Sequence, residues 1–333
     1  MRQSIFRMIA FLLRRLVESL LVLLAMSVLV FVGVYLIGNP VDILISSQAD
    51  QAERERAIVA LGLDKSIWSQ YGSFAVGALT GDLGKSFAHG VPALELIMTR
   101  MPATLELALT AMLIAVGLGI PLGLIAGLKP DGFIGKTIMA ASILGFSLPT
   151  FWVGLMLIML FAVFLGWLPS NGRGETVDLF GVPVSFLTPD GLLHLILPAV
   201  NLALFKLSLL IRLTRAGVRE AMAMEYVKFA RAKGLSNTRI VGVHVLKNIM
   251  IPIVTVIGLE FGSVVAFAVV TESVFAWPGM GKLLLDSINV LDRPVIVAYL
   301  LIIVSLFVFI NLLVDLAYSA LDPRVRLADA GAH

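Results

Sequence analysis

The sequence predicts an all-α integral membrane protein with six transmembrane helices, and two observations support this fold class. The chain of 333 residues is 59% hydrophobic and only 14% charged, whereas a soluble domain carries about 25% charged residues. Several apolar runs are longer than the ~20 residues that span a hydrocarbon core. The chain contains no cysteine, so disulfide bonds and thiolate chemistry are excluded.

The apolar runs place the six predicted spans at residues 16–37, 105–128, 137–165, 193–214, 249–271 and 294–319. The first run follows a basic head, as in a signal peptide, but it is longer than the apolar part of a signal and no A-x-A cleavage site follows. We therefore expect it to be retained as a span. The third run is long enough to tilt or kink. Prolines inside or at the edges of spans are tolerated when neighbouring helices satisfy the freed carbonyls; they are Pro121, Pro149, Pro198 and Pro252.

The distribution of lysine and arginine predicts how the spans are oriented. Most of the 25 basic residues lie in the segments on the same side as the N-terminus, above all in the connection between spans four and five. Short cytoplasmic segments of membrane proteins are enriched in these residues. Both chain termini and this connection are therefore predicted to be cytoplasmic. A net charge of only +3 does not suggest nucleic acid as a partner.

The long segment between spans one and two is predicted to lie outside the cytoplasm and to contain two short helices, with Ser47 capping the first. Its last part, "VPALELIMTRM", has the pattern of an amphipathic helix lying at the membrane interface. The loop after span three contains "VPVSF", which predicts a small strand or hairpin. Neither region is long enough to be an enzyme domain.

Two motifs that suggest catalysis are incomplete. "TGDLGKSF" ends like a phosphate-binding loop, but Leu79 occupies the position five residues before Gly84 where that pattern requires glycine. Ser147 in "LGFSLPTFW" would need a base within hydrogen-bond reach to act as a nucleophile, and His194 is the only histidine near a span. We expect the Ser147 hydroxyl to bond a backbone carbonyl beside Pro149 instead.

Lys206 and Glu260 are charged residues inside predicted spans. A charge at this depth costs roughly 2.5–3.5 kcal/mol on insertion scales, so it usually faces a partner or a wet cavity. At 1.5 Å per residue, the depths of the two residues from the cytoplasmic side agree within a few ångströms. We therefore predict that they pair or that both line a pathway, with Ser147 as a third candidate. The alternative is that each snorkels or pairs with another subunit.

The cytoplasmic connection contains "EYVKFARAKGLSNTRIVGVHVLKN", from Glu225 to Asn248. Helix-forming residues lead to Gly234, a typical left-handed helix stop, and Ser236 is placed to cap a second helix. The pattern predicts a helix, a tight glycine turn and a helix. Its basic residues suit either contact with anionic lipid, at about 1 kcal/mol each, or docking of a cytoplasmic partner.

This stretch resembles the cytoplasmic loop of binding-protein-dependent ABC importer permeases, whose pattern is E-A-A-x-x-x-G followed nine residues later by I-x-L-P. Gly234, Ala230 and Leu246 match this pattern, whereas Lys228 and Phe229 replace its Glu and first Ala. "ARAKGL" and "HVLKNIMIPIV" are more similar to the peptide/nickel (dipeptide and oligopeptide) subfamily, B-type subunit. The resemblance covers nearly the whole chain through "GNP", "LGLDKSIWSQY", "GDLGKSF", "ESVFAWPGMGKLLLDSI" and "NLLVDLAYSALDPRVR".

The resemblance implies a type I ABC importer (MetI-like) permease fold in the bacterial cytoplasmic membrane, with a helical extracytoplasmic segment between helices one and two. Residues 1–97 would form the first helix and the periplasmic segment. Residues 98–320 would form the ABC type-1 transmembrane domain, with a coupling helix at about 227–235, and residues 321–333 a cytoplasmic tail.

The resemblance also implies a mechanism in which the chain forms half of a translocation pathway for short peptides. Its partners would be a second homologous permease, two ATP-binding subunits, a periplasmic solute-binding protein and membrane lipid. ATP and magnesium would bind to the ATPase subunits, so the chain itself would be neither an enzyme nor a cofactor protein. Alternative functions are uptake of nickel or of another small solute such as glutathione, or ion-driven secondary transport, which the absence of a visible inverted repeat disfavours.

The coupling helix would sit in a groove of one ATPase. Arg231 and Lys233 would meet acidic groups there, Ala230 would permit close approach, and Gly234 would make the turn sharp. The residues assigned to this contact are Tyr226, Phe229, Ala230, Arg231, Ala232, Lys233, Gly234 and Leu235.

Overall fold

The computed structural model describes residues 2–36, 50–60 and 64–321; the predicted cap Ser47 lies outside them. The helices, in chain order, are α1 (Arg2–Leu36), α2 (Gln51–Ala60), α3 (Ile67–Thr80), α4 (Ala93–Leu128), α5 (Phe133–Ser147), α6 (Thr150–Leu157), α7 (Pro189–Ala223), α8 (Glu225–Ala232), α9 (Asn237–Arg239), α10 (Leu246–Val274), α11 (Met280–Asn289) and α12 (Arg293–Leu321). Two π-helical stretches, Ile158–Phe164 and Ile240–Val245, continue α6 and precede α10.

The chain divides into two compact units. One combines Met1–Pro102 with Pro278–Phe309, and the other combines Ala103–Trp277 with Ile310–His333. The long helices α4 and α12 contribute residues to both units. In the described residues the predicted all-α architecture is confirmed, together with the short hairpin that the sequence predicted.

In the first unit, the two predicted short helices are present as α2 and α3. The carboxylate of Asp50 accepts a hydrogen bond from the backbone N–H of Glu53 at 2.7 Å and caps α2. Ser66 accepts from the N–H of Ser69 at 3.3 Å and caps α3, which ends at Gly81 with φ of 82°. Both helices therefore start with a side-chain cap of the kind that stabilises a helix N-terminus.

Asp292 holds the segment that contains "GKS". This fully buried carboxylate accepts hydrogen bonds from the hydroxyl of Ser86, from the N–H of Phe87 at 3.0 Å and from the N–H of Ala88 at 3.2 Å. These backbone N–H groups bind an internal carboxylate, and the next helix, α4, begins only at Ala93. The segment is therefore a turn that the Asp292 carboxylate holds in place.

Helix α4 corrects the prediction of an interfacial helix in "VPALELIMTRM". From Ala93 onward these residues are the first turns of a continuous helix of 36 residues. Ala93 and Ile97 are fully buried, so this apolar face packs against protein and does not lie on a lipid surface. A hydrophobic pattern cannot distinguish these two environments.

In the second unit, α4 and α7 approach closely along three glycines spaced four residues apart. Small residues at this spacing let the backbones of two membrane helices come together. A Cβ atom added to any of these glycines would approach the Cβ of an α7 residue: Gly119 to 2.8 Å from Leu210, Gly123 to 2.5 Å from Thr214, and Gly127 to 2.7 Å from Val218.

The third predicted span is broken. Helix α5 and the α6–π helix that ends at Phe164 are bent by 106° relative to each other. The break falls at Leu148 and Pro149, both with extended backbone, because the residue before a proline is disfavoured in the helical region.

The number of spanning helices is lower than predicted when only the described residues are considered. Four of their helices are long and apolar enough to cross a membrane, or five if the bent pair counts as one span. The described apolar stretch in α1, Val17–Gly33, is shorter than a span. A count of six therefore stays a prediction.

The predicted hairpin is present in the loop between α6 and α7. Strand β1 (Val177–Leu179) pairs antiparallel with β2 (Val182–Val184), and Leu179 lies opposite Val182. Two residues, Phe180 and Gly181, form the turn.

Candidate functional site

The segment predicted to couple to a partner follows directly after the end of α7. We call residues 224–236 the elbow segment. Helix α7 ends at Ala223, Met224 is extended with ψ of 150°, and α8 begins at Glu225. The chain therefore changes direction within one residue.

A Schellman motif ends α8, as the glycine predicted. Gly234 adopts φ of 76° and donates its N–H to the carbonyl of Arg231 at 2.9 Å, while Leu235 donates to the carbonyl of Ala230 at 3.2 Å. These are the two hydrogen bonds that define the motif. A Cβ on Gly234 would meet no atom within 4 Å, so this position requires glycine for its backbone conformation and not for space.

The residues after the turn return the chain to the helix bundle. The Ser236 hydroxyl accepts from the N–H of Arg239 at 3.4 Å and caps α9, which confirms the predicted cap. The π-helical stretch that follows buries Ile240 and Val245 and runs into α10. Both ends of the elbow segment are therefore joined to long helices.

The elbow segment has one buried face and one exposed face. Val227 is fully buried and Ala230 is 5% exposed. The methyl group of Ala230 thus faces the chain itself, and it allows α8 to lie close to its own bundle. Phe229, by contrast, is 62% exposed, and the Lys233 ammonium lies 4.6 Å from the centre of its ring.

The exposed face combines aromatic and basic side chains. The predicted contact residues that are open to a partner are Tyr226, Phe229, Arg231, Ala232, Lys233 and Gly234, whereas Leu235 is partly buried. The basic side chains suit an acidic partner surface, and the aromatic rings supply the apolar area that a solvated loop does not need.

The second predicted feature is an ion pair inside the bundle. Lys206 lies midway along α7 and Glu260 lies midway along α10. The Lys206 ammonium donates to Glu260 Oε2 and to Ser263 Oγ at 2.7 Å, and Ser263 Oγ lies 3.0 Å from the same carboxylate oxygen. The direct pair, one of the two arrangements that we predicted, is therefore present.

The ion pair is only partly enclosed within the chain. The Lys206 side chain is 13% exposed and that of Glu260 is 29% exposed. The ammonium also lies 5.3 Å from the ring centre of Phe205, which stacks on Phe146 at 4.6 Å. The ion pair thus lies beside two stacked rings, and part of the Glu260 side chain stays open to the surroundings.

Ser147 has a local hydrogen bond. Its hydroxyl donates to the carbonyl of Ile143 at 2.9 Å, one turn earlier in α5. This is the expected arrangement for a serine beside a proline break.

Sequence reasoning missed a buried anchor at the hairpin end of the bundle. The Glu106 carboxylate accepts from Arg173 Nε at 3.0 Å, from the N–H of Ser185 at 2.7 Å and from the N–H of Phe186 at 2.8 Å. Arg173 also donates to the carbonyl of Pro183 at 2.7 Å. The available signal was an acid in the first turn of a predicted span, with an arginine in the loop outside it.

Comparison with known proteins places these features in a family. Residues 119–327 match the family described as "Binding-protein-dependent transport system inner membrane component", and residues 8–108 match the N-terminal component of the same systems. The first match alone covers more than half of the chain.

Curated relatives resemble the chain over almost its full length. It is 37% identical to the dipeptide transport system permease protein DppB of Escherichia coli K12, over 96% of this chain and 99% of the relative. It is 38% identical to the di/tripeptide transport system permease protein DppB of Pseudomonas aeruginosa, over 96% of this chain and 99% of the relative. It is 37% identical to the oligopeptide transport system permease protein AppB of Bacillus subtilis, over 96% of this chain and 100% of the relative.

The fold also has a solved neighbour. The inward-facing MetNI methionine ABC transporter superposes with a TM-score of 0.51 at 16% identity, over 69% of this chain and 97% of the transporter chain. At this identity the likeness concerns the fold alone, and it agrees with the predicted MetI-like architecture. The chain belongs to the family of binding-protein-dependent transport system inner membrane components, and it is a multi-pass membrane protein.

Proposed function

We propose that this chain is the transmembrane permease subunit of an ATP-driven importer of short peptides, and that it forms half of the translocation pathway. The observation that carries this proposal is similarity at 37–38% identity to dipeptide, di/tripeptide and oligopeptide permeases over 96% of the chain. In this role the chain moves solute but hydrolyses nothing, and ATP and magnesium bind to separate ATPase subunits.

The elbow segment is the coupling element in this proposal. Its attachment to α7 and α10 means that a displacement of α8 moves both long helices. Phe229 and Tyr226 would fill a groove of the ATPase, while Arg231 and Lys233 would meet acidic groups. Ala230 would act indirectly, by keeping α8 close to the bundle.

The proposed pathway includes the polar groups in the middle of the bundle. The partly exposed Lys206–Glu260 pair is its best supported part, because charges at this depth normally face a partner or water. Ser147 lies at the break between α5 and α6, where a hinge would let one wall of the pathway move. A second, homologous permease would supply the other wall.

The proposed arrangement in the membrane has six spans and both termini in the cytoplasm, with an extracytoplasmic segment between the first two spans. The basic elbow segment then lies on the cytoplasmic side, where two ATPase subunits dock. A periplasmic solute-binding protein would deliver the peptide at the opposite end. The excess of lysine and arginine on one side supports this orientation.

The test is reconstitution of the chain in proteoliposomes with the permease, ATPases and solute-binding protein encoded beside it. We expect uptake of a labelled dipeptide that requires ATP on the ATPase side and the binding protein on the other side. Removal of the proton gradient should leave uptake unchanged. Uptake that persists without ATP, or that follows an ion gradient, would contradict the proposal.

A further inference from the structure

The Lys206–Glu260 pair leaves one carboxylate oxygen without a donor. The Lys206 ammonium and the Ser263 hydroxyl both donate to Oε2 of Glu260. Among the described residues, none donates a hydrogen bond to Oε1, and the Glu260 side chain is 29% exposed. A carboxylate oxygen inside a membrane-spanning helix is costly unless a donor or water faces it. Oε1 is therefore an acceptor position for a group from outside this chain.

Arg212 supplies open donors further along α7. Its Nε donates to the carbonyl of Ser208 at 3.3 Å, and its guanidinium carbon lies 4.4 Å from the centre of the Phe146 ring. Within the part of the chain that the structure describes, no carboxylate pairs with Arg212. A guanidinium carries five N–H donors in a planar fork that suits a carboxylate. The N–H groups beyond Nε are therefore available to an anionic group.

Two stacked rings connect these charged groups. The ring centres of Phe146 and Phe205 are 4.6 Å apart, and the Lys206 ammonium lies 5.3 Å from the Phe205 ring. Phe205 and Arg212 are seven residues apart in α7, so they share one face of the helix. Apolar rings with a few polar groups at defined positions are the composition of a site for a small molecule.

The residue types on this surface disfavour lipid and a permanent helix contact. Charged groups at this depth normally face a partner or a wet cavity and not hydrocarbon. Closely packed membrane helices meet through small residues, whereas this surface carries aromatic rings and long charged side chains. Solute sites of membrane transporters lie near the middle of the bilayer, and Lys206 and Glu260 lie midway along their helices. The surface therefore suits a polar solute that binds transiently.

The spacing of the two open groups matches a short peptide with free termini. Lys206, which holds Glu260, and Arg212 are six residues apart, which is about 9 Å along a helix axis. An extended peptide of two or three residues spans about 7–11 Å. Its α-ammonium donates to a carboxylate, and its α-carboxylate accepts from a guanidinium.

From these observations we infer that Glu260 Oε1 binds the α-ammonium and Arg212 binds the α-carboxylate of a di- or tripeptide, with its side chains against the Phe146 and Phe205 rings. This inference rests on the proposed function, which supplies a peptide as the solute. It assigns to this chain a selection for free peptide termini, in addition to any selection by the solute-binding protein.

The test measures binding of three peptides to the complex of the two permeases and the ATPases, without nucleotide. The solute-binding protein is left out, so its own selectivity does not enter. The probes are Ala-Ala-Ala, its N-acetyl form and its C-terminal amide, and affinity is read from the thermal stabilisation of the complex at increasing peptide concentration. The parent complex should bind Ala-Ala-Ala about tenfold or more tightly than either blocked peptide, the scale of one hydrogen bond between charged groups.

Two variants assign each terminus to a residue. Glu260→Gln should lose the preference for Ala-Ala-Ala over the N-acetyl form and keep the preference over the amide. Arg212→Gln should show the opposite pattern. Both readings are ratios within one variant, so a loss of stability does not imitate them. The matched controls are Arg219→Gln and Glu220→Gln, at exposed positions of the same helix, and both should keep the two preferences.

Several outcomes would overturn the inference. Equal binding of the three peptides by the parent complex would do so without any variant. Unchanged preferences in Glu260→Gln and Arg212→Gln, or equal weakening of all three peptides, would assign these residues to structure alone. Loss of the second permease from either variant complex would show that this permease covers the surface.

Uptake by the parent complex separates this inference from the proposed function. If uptake of the labelled dipeptide still requires ATP and the binding protein, the proposed function stands whatever the three probes show. A parent complex that takes up no peptide would overturn both.

Discussion

Lys206 donates a hydrogen bond to Glu260 at the middle of two packed helices, and Ser263 bonds to both groups. Burying either charge alone would be costly, because an isolated ion loses its hydration. Together, the two groups hold α7 against α10. The elbow segment joins these same two helices at their ends. The Lys206–Glu260 pair therefore connects the middle of the bundle, which would contact solute, with the segment that would contact the ATPase.

Loss of one partner should weaken the fold by about 1.5–3 kcal/mol, the range for hydrogen bonds to charged groups. We expect lower thermal stability and lower uptake in Lys206→Met and in Glu260→Gln. The exchanged pair, Lys206→Glu combined with Glu260→Lys, should recover part of both. A double-mutant cycle measured by thermal unfolding in detergent gives the coupling energy.

An exposed ion pair provides the control for this cycle. Lys282 and Asp286 are bonded at 2.7 Å along α11, with side chains 33% and 57% exposed. Such pairs contribute only a few tenths of a kcal/mol, so Asp286→Asn should change thermal stability little. If Lys206→Met behaves in the same way, or if the exchange recovers nothing, the pair does not couple the two helices.

Substitutions of Gly234 should be tolerated when the new residue can adopt a positive φ, whatever the size of its side chain. Proline cannot adopt a positive φ, so Gly234→Pro should disrupt the Schellman turn and abolish the coupling of ATP hydrolysis to uptake. Asparagine is accepted at this position of helix ends, and Gly234→Asn should retain most of the activity. Membrane-inserted amounts of both variants are measured alongside peptide-dependent ATP hydrolysis. Equal activity of Gly234→Pro and Gly234→Asn would show that the turn has no role in coupling.

Variants of two neighbouring residues in α8 test contact with a partner and packing within the chain separately. Phe229 is exposed and Ala230 is buried. Phe229→Ala should leave thermal stability unchanged but weaken co-purification of the ATPase subunits. Ala230→Leu should instead destabilise the chain by about 1–3 kcal/mol, because added methyl groups do not fit a packed site.

If Ala230→Leu weakened co-purification of the ATPase and Phe229→Ala lowered thermal stability, Ala230 would be the residue that approaches the ATPase. Both variants are measured by thermal unfolding of the isolated permease and by the amount of ATPase recovered with it. A variant of Phe229 that changes neither quantity would remove its ring from the interface.

The elbow segment was predictable because its signals are local. Gly234 as a helix stop and Ser236 as a cap act within a few residues, and the structure places both as expected. The Lys206–Glu260 pair was partly predictable, since equal depth in two spans suggests contact but does not show which helix faces meet.

Other features depend on contacts between residues far apart in the sequence, or on backbone bends that a hydropathy pattern does not show. Glu106 and Arg173 are 67 positions apart, and no local pattern connects them. The sequence allowed a tilt or kink in the third predicted span, but the continuous apolar run through Pro149 did not indicate a bend as large as 106°. Phe180, which has φ of 54° in the hairpin turn, lies outside the segment that predicted the strand.

The close contact between α4 and α7 should make glycine substitutions strongly dependent on position. Gly123→Leu would place its Cβ 2.5 Å from the Cβ of Thr214 and 2.8 Å from the carbonyl oxygen of Ile211. Because backbone atoms cannot move away easily, we expect the helices to separate, with a cost of about 1–3 kcal/mol or more. The Cβ of Gly117→Leu, in the same helix, would meet nothing within 4 Å, so this variant should be close to neutral. Thermal unfolding and the yield of membrane-inserted protein measure the difference. Equal behaviour of the two variants would mean that α4 and α7 do not pack along this glycine line in the membrane.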